Sequence, residues 1–72
     1  MNGRELTQLV CSNIRRIRKE KGISTEKVAH EMCCSRQNIS LFEKGERMPR
    51  PQNLCDLAEI LGVDVLDFYK AV

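Results

Sequence analysis

Residues Ile23–Gly45, ISTEKVAHEMCCSRQNISLFEKG, decide the fold. Ser24 and Ser35 each precede a run with helical spacing of apolar residues. A serine hydroxyl at such a place accepts a bond from a free backbone N–H of the first turn and starts a helix. Ser24 therefore predicts a helix from Thr25 to about Cys33, with Val28, Ala29 and Met32 as its buried stripe. Ser35 predicts another from Arg36 to Lys44, with Ile39 and Phe42 inward and Gly45 as its stop. Little more than a tight turn separates the two. Ala29 is small enough to let the second of these helices approach the first closely.

The same signals extend in both directions. Leu6, Val10, Ile14 and Ile17 form one stripe of a helix from about Arg4 to Lys21, stopped by Gly22. Glu46 to Arg50 reads as a loop containing Pro49. Pro51 suits the first position of a fourth helix, where its missing N–H costs nothing. Leu54, Cys55, Leu57, Ala58 and Leu61 are expected on that helix's core side, and Gly62 ends it. Asp64 caps a fifth short helix, with Asp67 at its positive end and Val65, Phe68 and Tyr69 as anchors. No period-two run or hairpin turn interrupts the pattern. The expected fold is all-α, a compact five-helix bundle, in one domain over residues 1–72.

Composition narrows the function classes. Hydrophobic residues make up 42% and charged residues 31%, which excludes a disordered chain. The longest apolar run is far too short to cross a bilayer, and MNGRELTQ lacks the apolar stretch of a secretory signal. The expected location is the cytoplasm, with no membrane partner. A formal charge of +2 says little about partners. Seven basic residues nonetheless lie between Arg4 and Lys27, a run read here as a mostly solvated helix face. Cys11, Cys33, Cys34 and Cys55 make no CxxC, and His30 is the only histidine, so the spacing supports no metal site. Cys11, Cys34 and Cys55 fall where small apolar residues are wanted, and reduced thiols are expected. A redox switch through adjacent Cys33 and Cys34 is the alternative. With one histidine, no plausible carboxylate pair and no phosphate loop, the chain offers no enzyme site, cofactor or small-molecule ligand. Asp64 and Asp67 serve as helix-cap residues.

Two capped helices across a tight turn suit entry of the second into the major groove of double-stranded DNA. Its outward residues are Arg36, Gln37, Ser40, Leu41 and Lys44. Arg36 matches guanine O6 and N7, and Gln37 matches adenine N6 and N7. Ser40 suits several bases, and Leu41 suits a thymine methyl. Thr25, Asn38, Lys44, Arg47 and Arg50 are candidates for contacts to the DNA backbone.

From about Asn13 to Tyr69 the chain resembles the phage repressor and Cro family of helix-turn-helix proteins, often called the XRE family. IRRIRKEKGIS, the helix pair with Ala29, ISLFEKGERMP, LCDLAEILGV and DVLDFY carry the resemblance through their order and spacing. It implies a lambda-repressor-like bundle whose third helix reads DNA. It also implies a largely buried ion pair between Arg18 and Glu43 that orients this helix. The sequence departs from the family at four places. Thr25 stands where a glutamine commonly contacts DNA, and Cys33 where a glycine usually makes the turn. Leu41 occupies a site that is usually polar, and Glu46 one where a base is common. Glu46 is expected to face away from phosphate.

The expected function is sequence-specific transcriptional regulation, as a repressor. One reading helix covers few base pairs, so a homodimer on a palindromic operator is expected, with half-sites about 34–36 Å apart. The chain offers no second domain to dimerise through, which directs attention to the last helix. Leu66 and Val72 are the candidate dimer contacts. The alternative is a protein-interaction module, or an antitoxin-type regulator, with weak or no independent DNA binding.

Overall fold

The computed structural model describes residues 1–71. Its elements are α1 (Gly3–Glu20), α2 (Thr25–Glu31), α3 (Arg36–Glu43), α4 (Pro51–Leu61) and a closing 3-10 helix (Val65–Tyr69). Among the described residues there is no strand. No helix among them is long and apolar enough to cross a membrane. Val72, a candidate dimer contact from sequence, lies outside the described residues.

Side chains start most of these helices. The Asn2 carboxamide accepts from the Glu5 N–H at 2.8 Å, so α1 begins one residue before the expected Arg4. Ser24 accepts from the Lys27 N–H and Ser35 from the Asn38 N–H, each at 3.1 Å. Pro51 opens α4 without a side-chain cap.

The four α-helices also end alike, with a left-handed residue beyond the last turn. Gly22, Gly45 and Gly62 supply it at three ends, with φ of 69°, 78° and 72°. At the fourth end the residue is Cys33, with φ 55°. Its N–H reaches the His30 carbonyl at 3.2 Å, and the Cys34 N–H reaches that of Ala29 at 3.0 Å. Those two bonds hold a side-chain-bearing residue in a conformation that disfavours it. They also end α2 at Glu31, short of the expected Cys33. Cys33→Gly should therefore raise the stability by about 1 kcal/mol, a gain readable as a higher urea midpoint at unchanged m. Gly45 has a second constraint, because a Cβ there would fall 2.6 Å from the Gln8 Nε2.

The core draws on every element. Val10, Ile14 and Ile17 of α1 meet Val28 and Ala29 of α2, Ile39 and Phe42 of α3, Leu54, Leu57, Ala58 and Leu61 of α4, and Phe68. Three expected core positions lie elsewhere. Leu6 is 36% exposed, because the buried stripe of α1 begins one turn later at Val10. Cys55 is exposed, since Leu54, Leu57, Ala58 and Leu61 already complete the inward face of α4. Tyr69 is 39% exposed, leaving Phe68 as the anchor of its segment, with Val65 only half-buried. Cys11 is fully packed, and burial pushes its thiol pKa up, which keeps it protonated and unreactive.

The expected fifth helix is a 3-10 helix instead, so the described residues form four α-helices. Asp64 explains the tight winding. Its carboxylate accepts from the Leu66 N–H at 3.0 Å, and its own N–H donates to Asp67 at 3.2 Å. The Asp67 N–H donates to the Asp64 carbonyl at 2.9 Å, a three-residue closure. Lys70, 2.8 Å from Asp67, holds that carboxyl below the usual carboxylate range. Asn13 then fastens the segment to α1. Buried among apolar neighbours, its Nδ2 donates to the carbonyls of Phe68 and Lys70, both at 2.8 Å.

Candidate nucleic-acid interface

α3 packs on both α2 and α1, so it is wedged between them, while the 3-10 helix packs on α1 and α4. Ile39 and Phe42 are buried and fix which side of α3 faces inward. Arg36, Gln37 and Lys44 are exposed, and Asn38, Ser40 and Leu41 are half-buried. The candidate base-reading residues thus form the outer side of one short helix that is clamped on its other side.

The strongest clamp joins Arg18 to Glu43. Arg18 Nε lies 2.6 Å from Glu43 Oε2, and its Nη2 lies 3.1 Å from Oε1, a two-pronged pairing. Its Nη1 donates to the Ile23 carbonyl at 2.8 Å. The side chains are only 12% and 8% exposed. One guanidinium therefore ties α1 to the approach of α2 and to the last turn of α3.

A shallow depression beside this pair is lined by Arg15, Arg18, Lys19, Thr25, Ser40, Glu43 and Lys44. Arg18 and Glu43 neutralise each other there, which leaves Arg15, Lys19 and Lys44 as its net charge. Thr25, Ser40 and Lys44 were expected from sequence; Arg15 and Lys19 were not. Their signal was the basic run in α1, whose four-residue spacing places Arg15 and Lys19 on one helix face.

A second depression brings together Asn38, Arg47 and Arg50 with Phe42, Met48, Gln52 and Asn53. Arg47 Nη1 donates to Asn38 Oδ1 at 2.7 Å, so the loop after α3 is tied back to it. The Cys11 thiol supports the same loop, 3.8 Å from the Arg47 carbonyl. Each flank of α3 thus carries a polar hollow with arginine or lysine at its edge, and α3 itself presents donors and one apolar side chain. Such a surface suits a polyanion with a groove. Glu46 is exposed in the intervening loop. Leu66 is 65% exposed and lies on the 3-10 helix, which does not pack against α2 or α3.

Residues 14–68 match the family model described as helix-turn-helix. The chain belongs to the helix-turn-helix family. A relative in Sinorhizobium fredii, named as an uncharacterized HTH-type transcriptional regulator y4dJ, is 41% identical over 59 residues. That match covers 82% of this chain and 77% of the relative. Two solved structures share the fold. The clp gene regulator ClgR from C. glutamicum superposes with a TM-score of 0.83 at 24% identity, over 88% of this chain and 82% of that one. A hypothetical transcription factor, NHTF, from Neisseria gives 0.82 at 24% identity, over 97% and 82%. In this helix-turn-helix chain, α2 and α3 are the paired helices and Met32–Ser35 lie between them.

Proposed function

We propose that this chain is a sequence-specific DNA-binding transcriptional regulator, a repressor rather than an enzyme, acting in the cytoplasm as one domain over residues 1–72. One observation carries the reading: the outer side of α3 is open, polar and flanked by two hollows edged with cations. The relative named as a transcriptional regulator supports it. Arg36, Gln37, Ser40 and Leu41 read base edges in the major groove. Thr25, Asn38, Lys44, Arg47 and Arg50 hold the phosphates on either side. A single helix this short spans few base pairs, so two copies act on a palindromic operator, and exposed Leu66 is available for their contact.

Selection from a random duplex library, followed by mobility shift of the selected site at two salt concentrations, tests this. The expected outcome is a palindromic site whose binding weakens steeply as salt rises. Gln37→Ala should lose about 1–3 kcal/mol against the preferred base at one position. Lys44→Ala should weaken all sequences alike and lower the salt slope by about one. No shift at low salt would reject the regulator and favour a protein-interaction module or an antitoxin that needs a partner.

A further inference from the structure

We propose that Glu26 is a positioning residue for base recognition by Arg36, an inference that rests on the DNA-reading role of α3. Glu26 is the second residue of α2 and Arg36 the first of α3. The turn between these helices brings Arg36 Nη1 to 3.0 Å from Glu26 Oε1. Both side chains are largely exposed, 67% for Arg36 and 73% for Glu26. A pair this open contributes little to folding. Its consequence lies in where it leaves the guanidinium.

An arginine carries five N–H donors in a rigid fork. Here Glu26 engages one nitrogen, and Nε and Nη2 make no hydrogen bond to any described residue. The free edge, formed by Nε and Nη2, has the two parallel donors that match guanine O6 and N7. A free arginine must give up many rotamers to present that edge. One tethered at Nη1 has already given up part of them, so less is lost on binding. Exclusion of water in the groove also lowers the local dielectric, which strengthens the ion pair when the base is read.

The same carboxylate carries a cost that gives the proposal a distinctive sign. It places a negative charge at the edge of a surface that faces phosphate. Removing it should strengthen binding to DNA of any sequence while weakening the preference for guanine at one base pair. A residue with only a structural role would move both in the same direction.

The test uses the full chain and the duplex that the wild type selects from a random library. Each base pair of that duplex is then replaced in turn, and binding is measured by fluorescence anisotropy. Arg36→Ala should abolish discrimination at one guanine, a preference of about 10–100-fold for a two-bond arginine contact. Glu26→Ala should reduce discrimination at that same guanine about fivefold and leave other positions unchanged, while binding to random-sequence DNA rises about twofold. Glu26→Gln, which keeps an acceptor oxygen, should recover part of the preference. In the Arg36→Ala background, Glu26→Ala should have no further effect on base preference. Circular dichroism melts establish that each variant is folded.

Unchanged guanine discrimination in Glu26→Ala overturns the proposal, and so does an equal effect in the presence and absence of Arg36. If Arg36→Ala alters no base preference although the wild type binds specifically, the proposal also fails. That result leaves the DNA-binding role of α3 standing. If the wild type itself selects no sequence, the DNA-reading role fails and takes this inference with it.

Discussion

Glu43→Ala should cost about 3 kcal/mol of folding free energy, the low end of the range for breaking a buried ion pair. The low end applies because Arg18 keeps its bond to the Ile23 carbonyl and a little solvent contact. Stability for a chain of this length is on the order of 4–11 kcal/mol, so the loss removes a large share of it. The melting temperature should fall by more than about 10 °C. Glu43→Gln should lose less, about 2 kcal/mol, since its amide still offers Arg18 one acceptor. Replacing both partners, Arg18→Met with Glu43→Leu, should recover most of the loss because no charge is then stranded. Urea denaturation of the three variants at pH 7 distinguishes these outcomes. A loss below about 1 kcal/mol for Glu43→Ala would falsify the buried-pair account and make this a solvated contact. The pair fastens the last turn of α3 to α1, so any variant that survives folding should also bind DNA less selectively.

The sequence was most legible where a single residue type has one local effect. Ser24, Ser35, Pro51 and the three helix-ending glycines marked helix boundaries to within about two residues, because each acts on its own backbone neighbours. Burial was less legible. Leu6, Cys55 and Tyr69 have apolar character and fall near the right period, yet whether a neighbour reaches them depends on how the helices stop and cross. The 3-10 winding of Val65–Tyr69 follows from reciprocal bonds between Asp64 and Asp67. The residue types there suit a short α-helix equally well. In the candidate site, Arg36, Gln37, Ser40 and Leu41 could be chosen from one helix and one period. Arg15 and Lys19 could not, because only the packing of α3 against α1 places them beside Thr25 and Lys44. Glu26 escaped for the same reason, being ten residues from Arg36 in the chain and 3.0 Å from it in space.

Asn13→Ala should cost about 2–4 kcal/mol, because the buried Phe68 carbonyl and the part-buried Lys70 carbonyl have no other partner among the described residues. Periodicity gave no warning of this. Asn13 sits between Val10 and Ile17 on the inward face of α1, where periodicity alone calls for an apolar side chain such as leucine. Asn13→Leu settles whether packing or hydrogen bonding governs the site. It restores apolar volume but leaves the Phe68 and Lys70 carbonyls unpaired, so it should remain destabilising by at least about 1 kcal/mol. If it instead stabilises the chain, the bonds contribute little and the position is ordinary core. Asn13→Asp carries the argument further. One oxygen of its carboxylate would face two carbonyl oxygens at 2.8 Å, while the other keeps only the longer contact to Arg16 Nη2 at 3.5 Å. Burial and the two close repulsions then favour the acid over the anion, and the folded-state pKa rises above its unfolded value. The native state then binds the extra proton more tightly than the unfolded state does. Stability of Asn13→Asp should therefore fall as pH rises through the ordinary carboxylate range towards its folded pKa, and stay low at neutral pH. Urea midpoints of Asn13→Asp and wild type at pH 4 and pH 7 measure this directly. The gap between the two proteins should widen at pH 7. An unchanged gap would mean that the carboxylate has turned to solvent and that the 3-10 helix is held by the packing of Phe68 and Val65.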